Sequence, residues 1–303
     1  MRLVTYVPRG ASGARGRAGL LSAEGIVDVA HASAGRLPAT VLDLLRLEAD
    51  AEELATHIDP AASARPLSEC RLLAPLPEPV SLRDFMAFED HVRHTRELRG
   101  ANVPAAWYEL PVFYFSNHLA VLGPEDPVLA PPGCARLDYE FEVALVIGRT
   151  GRDIPESEAW GHVAGLTIMN DWSARDLQLK EMQAGLGPAK GKDFATTLGP
   201  AIVTLDEFSD RTRGDAISLE MVGRRNGKEF TRTNLDTIYH PVPRVIARAS
   251  AGVTLRPGEV IGLGTVSYGC LLEQPDPQWL RPGDAVELEV ELLGNLRTVV
   301  GDF

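Results

Sequence analysis

Asp138, Glu140 and Glu142 alternate with Tyr139, Phe141 and Val143 in a stretch that closes at Gly148. β-Branched and aromatic residues, alternation and a terminal glycine predict a strand. Side chains two apart on a strand share a face, so Glu140 and Glu142 point the same way. Neighbouring carboxylates repel unless a cation lies between them, and a hard divalent cation with oxygen ligands is the simplest candidate. The plain alternative is a solvated strand face, on which Glu residues cost nothing. Two observations weigh against it. Residues 143–147 are a continuous apolar run, predicted buried on both faces, and carboxylates at the mouth of such a strand need a partner. Residues 164–170 read as a second buried strand, which delivers a third carboxylate, Asp171. Convergence of three acids predicts a metal site.

Composition limits what surrounds such a site. The chain has 303 residues, a formal charge of −12 and a pI near 5.1, which argues against nucleic acid and against an anionic membrane surface as partners. No apolar run reaches the length of a membrane span, and the first residues lack a signal-peptide core. Cys70, Cys134 and Cys270 form an odd, sparse set without the spacing of a zinc site. Reduced thiols and a cytoplasmic location are expected. With 28 glycines and 22 prolines and few long helical patterns, the chain is expected to be β-rich with many turns.

The elements that must position the acids follow in order. Residues 1–75 read as a small N-terminal α+β domain, with strands at 3–7 and 25–29 around a Gly- and Arg-rich turn spanning 9–19, and a helix over 39–57. A Pro-rich linker, residues 73–79, marks the boundary to a catalytic domain, residues 76–303. Residues 82–98 read as an extended piece running into a helix. Taken alone, Asp84 there is a helix N-cap and His91 and His94 are exposed helix histidines. Strands are expected at 111–115, 201–205, 217–222 and 260–263, a hairpin at Asn226-Gly227, a helix over 241–251 and a closing strand over 286–292. Glu287, Glu289 and Glu291 on that last strand read as a solvated face. Between Gln178 and Pro200, glycines 185, 187 and 191 predict a mobile segment carrying Lys190 and Lys192.

Several motifs are specific in combination: Asp-x-Glu-x-Glu at 138–142, Asn-Asp-Trp-Ser-Ala-Arg-Asp-Leu-Gln at 170–178, Gly-Lys-Asp-Phe-Ala-Thr-Thr at 191–197, Gly264-Thr265 and Tyr-Gly-Cys-Leu-Leu-Glu at 268–273. With them the chain resembles the fumarylacetoacetate hydrolase family from about Asp84 to its C-terminus. The resemblance implies a mixed β-sandwich roll, a homodimer, and a magnesium ion (or calcium or manganese) held by Glu140, Glu142 and Asp171. It implies Asp84 as a fourth ligand, seven residues before a histidine base, His91, with Glu273 as that histidine's partner. It places Arg175, Gln178, Tyr114 and Thr265 on the substrate and gives Lys192 a catalytic role.

The implied reaction is metal-assisted hydrolysis of a C–C bond in an anionic keto acid, a β-diketo acid or acylpyruvate, of the kind met in aromatic compound catabolism. His91, oriented by Glu273, would activate water; Lys192 and Gln178 would stabilise the oxyanion. Family members that act as decarboxylases, isomerases or dehydratases are the alternative, and the histidine–glutamate pair favours hydrolysis over them. A non-enzymatic, metal-stabilised binding protein would explain the acids but not their coincidence with Arg175, Lys192 and His91.

Overall fold

The computed structural model describes residues 1–11, 13, 15–59, 61–185 and 187–302. It is a mixed, strand-rich α+β protein built on one large sheet. In spatial order the strands are Ile26–Asp28, Arg17–Leu21, Arg2–Pro8, Thr196–Thr204, Val163–Asp171, Phe141–Ile147, Val260–Gly262, Leu82–Phe85 and Phe113–Ser116. Cys70–Leu73 pairs Arg2–Pro8, and Val121–Leu122 pairs Thr196–Thr204. At the centre, Phe141–Ile147 and Val163–Asp171 are almost wholly buried, as their apolar runs demand.

A second, antiparallel sheet has the order Lys228–Asn234, Glu220–Arg225, Ala285–Val290, Gly294–Val299. Its inward residues Met221, Val286, Leu288, Val290 and Leu296 share one core with Phe141, Val143, Leu145, Ile168 and Val203 of the large sheet. The outward Glu289 and Glu291 meet Arg224 and Arg211, so the solvated reading of this face holds with arginine partners added. Alternation of buried Val and Leu with outward Glu is what lets this sheet close the sandwich on one face only.

Some elements differ from the sequence expectation. Residues 17–21, which overlap the end of the expected turn, form a strand because its edges pair on both sides, with Arg2–Pro8 and Ile26–Asp28. The expected helix over 39–57 is two short helices, Val41–Leu45 and Ala51–Thr56; Asp50 caps the second, and Glu48 between them takes a φ of 55°. The strand ending at Val290 is not the last: the chain returns through Gly294–Val299. Asp84 is not a helix cap. It lies in the strand Leu82–Phe85, and Phe88 precedes the helix Glu89–Glu97. Residues 189–191 are tied down, because the Glu181 carboxylate accepts the amides of Ala189, Lys190 and Gly191 at 2.9, 2.7 and 3.1 Å.

Residues 1–75 reach the rest of the chain through the pairing of Arg2 and Leu3 with Val203 and Ile202. Their buried Val41, Leu44 and Leu54 belong to a core with Ala144, Val146, Met169 and Leu198.

Candidate metal centre and active site

Register explains the acid cluster. Phe141–Ile147 pairs Val163–Asp171 on one side and Val260–Gly262 on the other, and Val260–Gly262 pairs Leu82–Phe85. Met169 sits opposite Glu142, and Gly262 opposite both Ala144 and Asp84. Asp84, Glu142 and Asp171, far apart in sequence, therefore reach one end of the sheet. Glu140 joins them from the bend before Phe141, fixed by a 3.0 Å hydrogen bond from its amide to Asn170 Oδ1.

All four acids are buried, and one oxygen from each lies within 4.8 Å of the others. Gly262 leaves them room: a Cβ at this position would lie 2.6 Å from Asp84 Oδ1 and 3.1 Å from Glu142 Oε2. Glu142 accepts from the Gly264 amide at 3.0 Å and from the Thr265 hydroxyl at 3.3 Å. Asp84 Oδ1 and Asp171 Oδ1 are buried without any hydrogen-bond partner among the described residues.

Burial, followed by the neighbouring Asp171, holds the Asp84 carboxyl well above the usual carboxylate range. Burial and the charges of Asp84 and Glu140 do the same to Glu142, and Asp171 is raised too, chiefly by burial. Glu140 is the exception: burial acts to raise it, but Arg175 and Lys192 outweigh that and hold it low. Such a cluster must either keep protons or gain a cation. An all-oxygen set with two unpartnered buried oxygens fits a hard divalent cation.

Two buried cations flank the acids. The ammonium of Lys192 donates to Glu140 and Asp171, and Tyr114 donates its hydroxyl to Asp171. Burial disfavours charge on Lys192, yet Asp171 and Glu140 more than offset this and keep it protonated. Gly191 packs against the backbone of Gln178, where any side chain would collide, and so delivers Lys192 inward. Arg175 begins the helix Arg175–Gln183 directly after Ser173–Ala174, which pairs with Leu137–Asp138. Its guanidinium donates to Asp138 at 2.8 Å and to Gln178 at 3.0 Å, and sits 2.7 Å from Glu140.

His91, on the first turn of Glu89–Glu97, places Nδ1 3.1 Å from Glu273 Oε2. The distance suits a hydrogen bond but the angle does not, and Nδ1 is otherwise unpartnered. Glu273 also meets His94 Nδ1 at 3.3 Å and the Tyr268 amide at 3.1 Å. Burial acts to raise Glu273, but His91 dominates and its carboxyl is held below the ordinary value.

A cavity of about 280 Å³ opens beside this assembly. Asp84, His91, Tyr114, Glu140, Glu142, Arg175, Gln178, Lys192 and Thr265 line it, with Asp171 and Glu273 in contact behind them. The structure thus brings every sequence-predicted site residue to one place. Phe85, Val92, Phe113 and Met182 add apolar surface to its lining. A larger cleft of about 430 Å³ lies against the N-terminal helices; no metal-ligating cluster among the described residues lines it.

Sequence reading missed four contributors. Asp138 takes Arg175 and also accepts the amides of Leu271 and Leu272, at 2.8 and 3.1 Å, in the short 3-10 turn that carries Glu273. His94 shares Glu273 with His91. Arg96 and Arg99 line the cavity and form no ion pair among the described residues. Arg96 shares the helix of His91 and Arg99 lies just past its end, which was the only signal available.

The model of the family described as fumarylacetoacetate (FAA) hydrolase C-terminal matches residues 82–301. The mitochondrial oxaloacetate tautomerase FAHD2A of Bos taurus is 32% identical over 274 residues, 89% of this chain and 82% of that one. A fumarylacetoacetate hydrolase from Exiguobacterium antarcticum superposes with a TM-score of 0.79 at 26% identity, covering 100% of both chains. The maleylpyruvate hydrolase of Sphingobium sp. SYK-6, solved with manganese(II) and pyruvate, gives a TM-score of 0.73 at 25% identity, covering 100% of this chain and 99% of that one.

Proposed function

We infer the function of this chain from one premise: it belongs to the fumarylacetoacetate hydrolase family. Members of that family are enzymes, among them hydrolases, isomerases and tautomerases. The reading best supported is a divalent-cation-dependent hydrolase that cleaves a C–C bond of a β-diketo acid or acylpyruvate. One observation carries it: the buried His91–Glu273 pair at the wall of the cavity, next to the acid cluster.

A divalent cation, magnesium or else manganese or calcium, held by Asp84, Glu140, Glu142 and Asp171 would chelate the 2-oxo acid and polarise its carbonyl. The protein's own groups do the rest. His91 takes a proton from water, and Glu273 steadies the imidazolium that results. Lys192 and Gln178 offer donors to the oxyanion that the attack creates. Arg175 keeps Glu140 ionised and holds Gln178 towards the cavity. Tyr114 and Thr265 fix Asp171 and Glu142 by hydrogen bonds and line the substrate space. His91 returns its proton to the departing carbon.

Similarity to the Bos taurus protein favours a second reading, tautomerisation of oxaloacetate. The same histidine would then carry a proton between the enol oxygen and the adjacent carbon without water. Metal-stripped protein assayed on acylpyruvates, β-diketo acids and oxaloacetate, with the enol absorbance followed before and after magnesium, separates the two. Cation-dependent release of two acids supports hydrolysis; loss of enol oxaloacetate with no new acid supports the second reading. His91→Ala is expected to retain the cation and lose turnover, and an undiminished rate would refute the base assignment.

A homodimer is also proposed on family grounds, to be checked by light scattering, and a cytoplasmic location on composition. No helix among the described residues is long and apolar enough to cross a membrane.

A further inference from the structure

We propose that His91, Cys270 and Glu273 form a second cation site, separate from the four acids, that takes a thiophilic divalent cation such as zinc. Cys270 directly precedes the 3-10 turn Leu271–Glu273. Its backbone is extended, at φ −145° and ψ 163°, and leads into the turn so that its thiol meets the Glu273 carboxylate. Cys270 Sγ is 3.5 Å from Glu273 Oε2. The first turn of Glu89–Glu97 lays His91 over the same oxygen at 3.1 Å. The three donor atoms all lie within 4.8 Å of one another.

Tetrahedral zinc, bound at about 2.0–2.3 Å by nitrogen, oxygen and sulfur, sets adjacent ligand atoms about 3.3–3.7 Å apart. Two of the three separations already come close to that. A second observation is independent of the spacing. His91 is only 7% exposed, yet its Nδ1, 3.1 Å from Glu273 but poorly angled to it, has no hydrogen-bond partner among the described residues. A cation between the three groups would satisfy it.

The donor set differs in kind from the acid cluster. Nitrogen, sulfur and one carboxylate suit zinc, whereas four carboxylates suit magnesium or manganese. On binding, the Cys270 thiol loses its proton to water and becomes the thiolate ligand. His91 lines the substrate cavity, which gives the cation a way in. Fastening His91 removes it from proton transfer, so zinc at this site is a reversible inhibitor. The binding claim stands on geometry alone; the inhibition claim rests on the role of His91 proposed above.

The test starts from magnesium-saturated protein, in which the acid cluster is filled. Cobalt(II) is titrated in, and thiolate-to-cobalt charge-transfer absorption is recorded. One equivalent is expected to produce the band, and zinc to erase it. Cys270→Ser should abolish the band. It should also raise the zinc concentration for half-inhibition, each variant against its own zinc-free rate, by at least the about tenfold that loss of even an outer-shell partner causes. The Cys70→Ser, Cys134→Ser double variant should keep the band, which assigns it to Cys270 even if Cys270→Ser fails to fold. Absence of a band in the wild type, or its loss in the double variant, overturns the site. Zinc inhibition unchanged in Cys270→Ser overturns it as the inhibitory site. A Cys270-dependent band with turnover untouched by zinc leaves the site standing and refutes the role of His91 instead.

Discussion

Arg175 donates Nε to Asp138 at 2.8 Å, and both side chains are sealed from solvent. The same carboxylate also accepts the amides of Leu271 and Leu272. One buried acid therefore locates the arginine that sets the charge of Glu140 and the turn that carries Glu273.

Asp138→Asn keeps the shape and removes the charge, leaving Arg175 short of its partner. Breaking a buried pair in this way costs about 3–5 kcal/mol. The variant is expected to lose that much stability in denaturant melts and to lose kcat more than KM worsens. A wild-type melt would refute the shared anchoring.

Gly262→Ala places a methyl group 2.6 Å from Asp84 Oδ1 and 3.1 Å from Glu142 Oε2. Calorimetry with magnesium or manganese should show affinity at least about tenfold weaker, in the range that disturbing a ligand's surroundings produces. Affinity equal to the wild type would separate the acid cluster from cation binding.

Cation affinity should rise with pH. Asp84, Glu142 and Asp171 all have raised pKa values in the folded protein, so at acid pH they hold protons that a cation must displace. For a carboxyl raised on folding, the proton stabilises the native state, and that contribution is lost as pH rises through the folded value. The cation-free protein should thus lose melting temperature as pH rises from acid towards neutral, while the cation-loaded protein should not. The gap between the two melts is the measurement; a gap that narrows with rising pH contradicts the raised values.

Arg96 and Arg99 stand at the cavity with no carboxylate partner among the described residues. Arg99 is exposed, and partial desolvation followed by the like charges of Arg175 and Arg96 lowers its pKa. Arg99→Ala should raise KM several-fold for substrates with a second carboxylate and little for those without one. Equal effects on both would place Arg99 outside substrate contact.

The acids were legible because Glu-x-Glu on an apolar strand is anomalous within a few residues of chain. Asp84 was legible only through the family resemblance, which sets an acid seven residues before the histidine, since locally it looks like a helix cap. Gly262 was invisible: its meaning depends on which strands flank Val260–Gly262, and register is not a local property. Asp138 reads as one more strand acid until the turn at Leu271 is folded against it. The strand Arg17–Leu21 hid in a Gly- and Arg-rich stretch because its stability comes from partners on both sides, not from its own residues. We propose that residues 1–75 are a small α+β unit that depends on the large sheet. A chain starting at residue 76 would expose Leu198 and Ile202, and is expected to aggregate.

The pairing of Arg2 with Val203 also sets a timetable. During synthesis the first strand emerges long before its neighbour Thr196–Thr204 exists, so it can join Arg17–Leu21 and Cys70–Leu73 but must wait for the large sheet. Closure across so much chain is slow. Until then the core that Leu3 and Leu44 share with Leu198 and Ile202 is incomplete, and the nascent chain is expected to expose apolar surface.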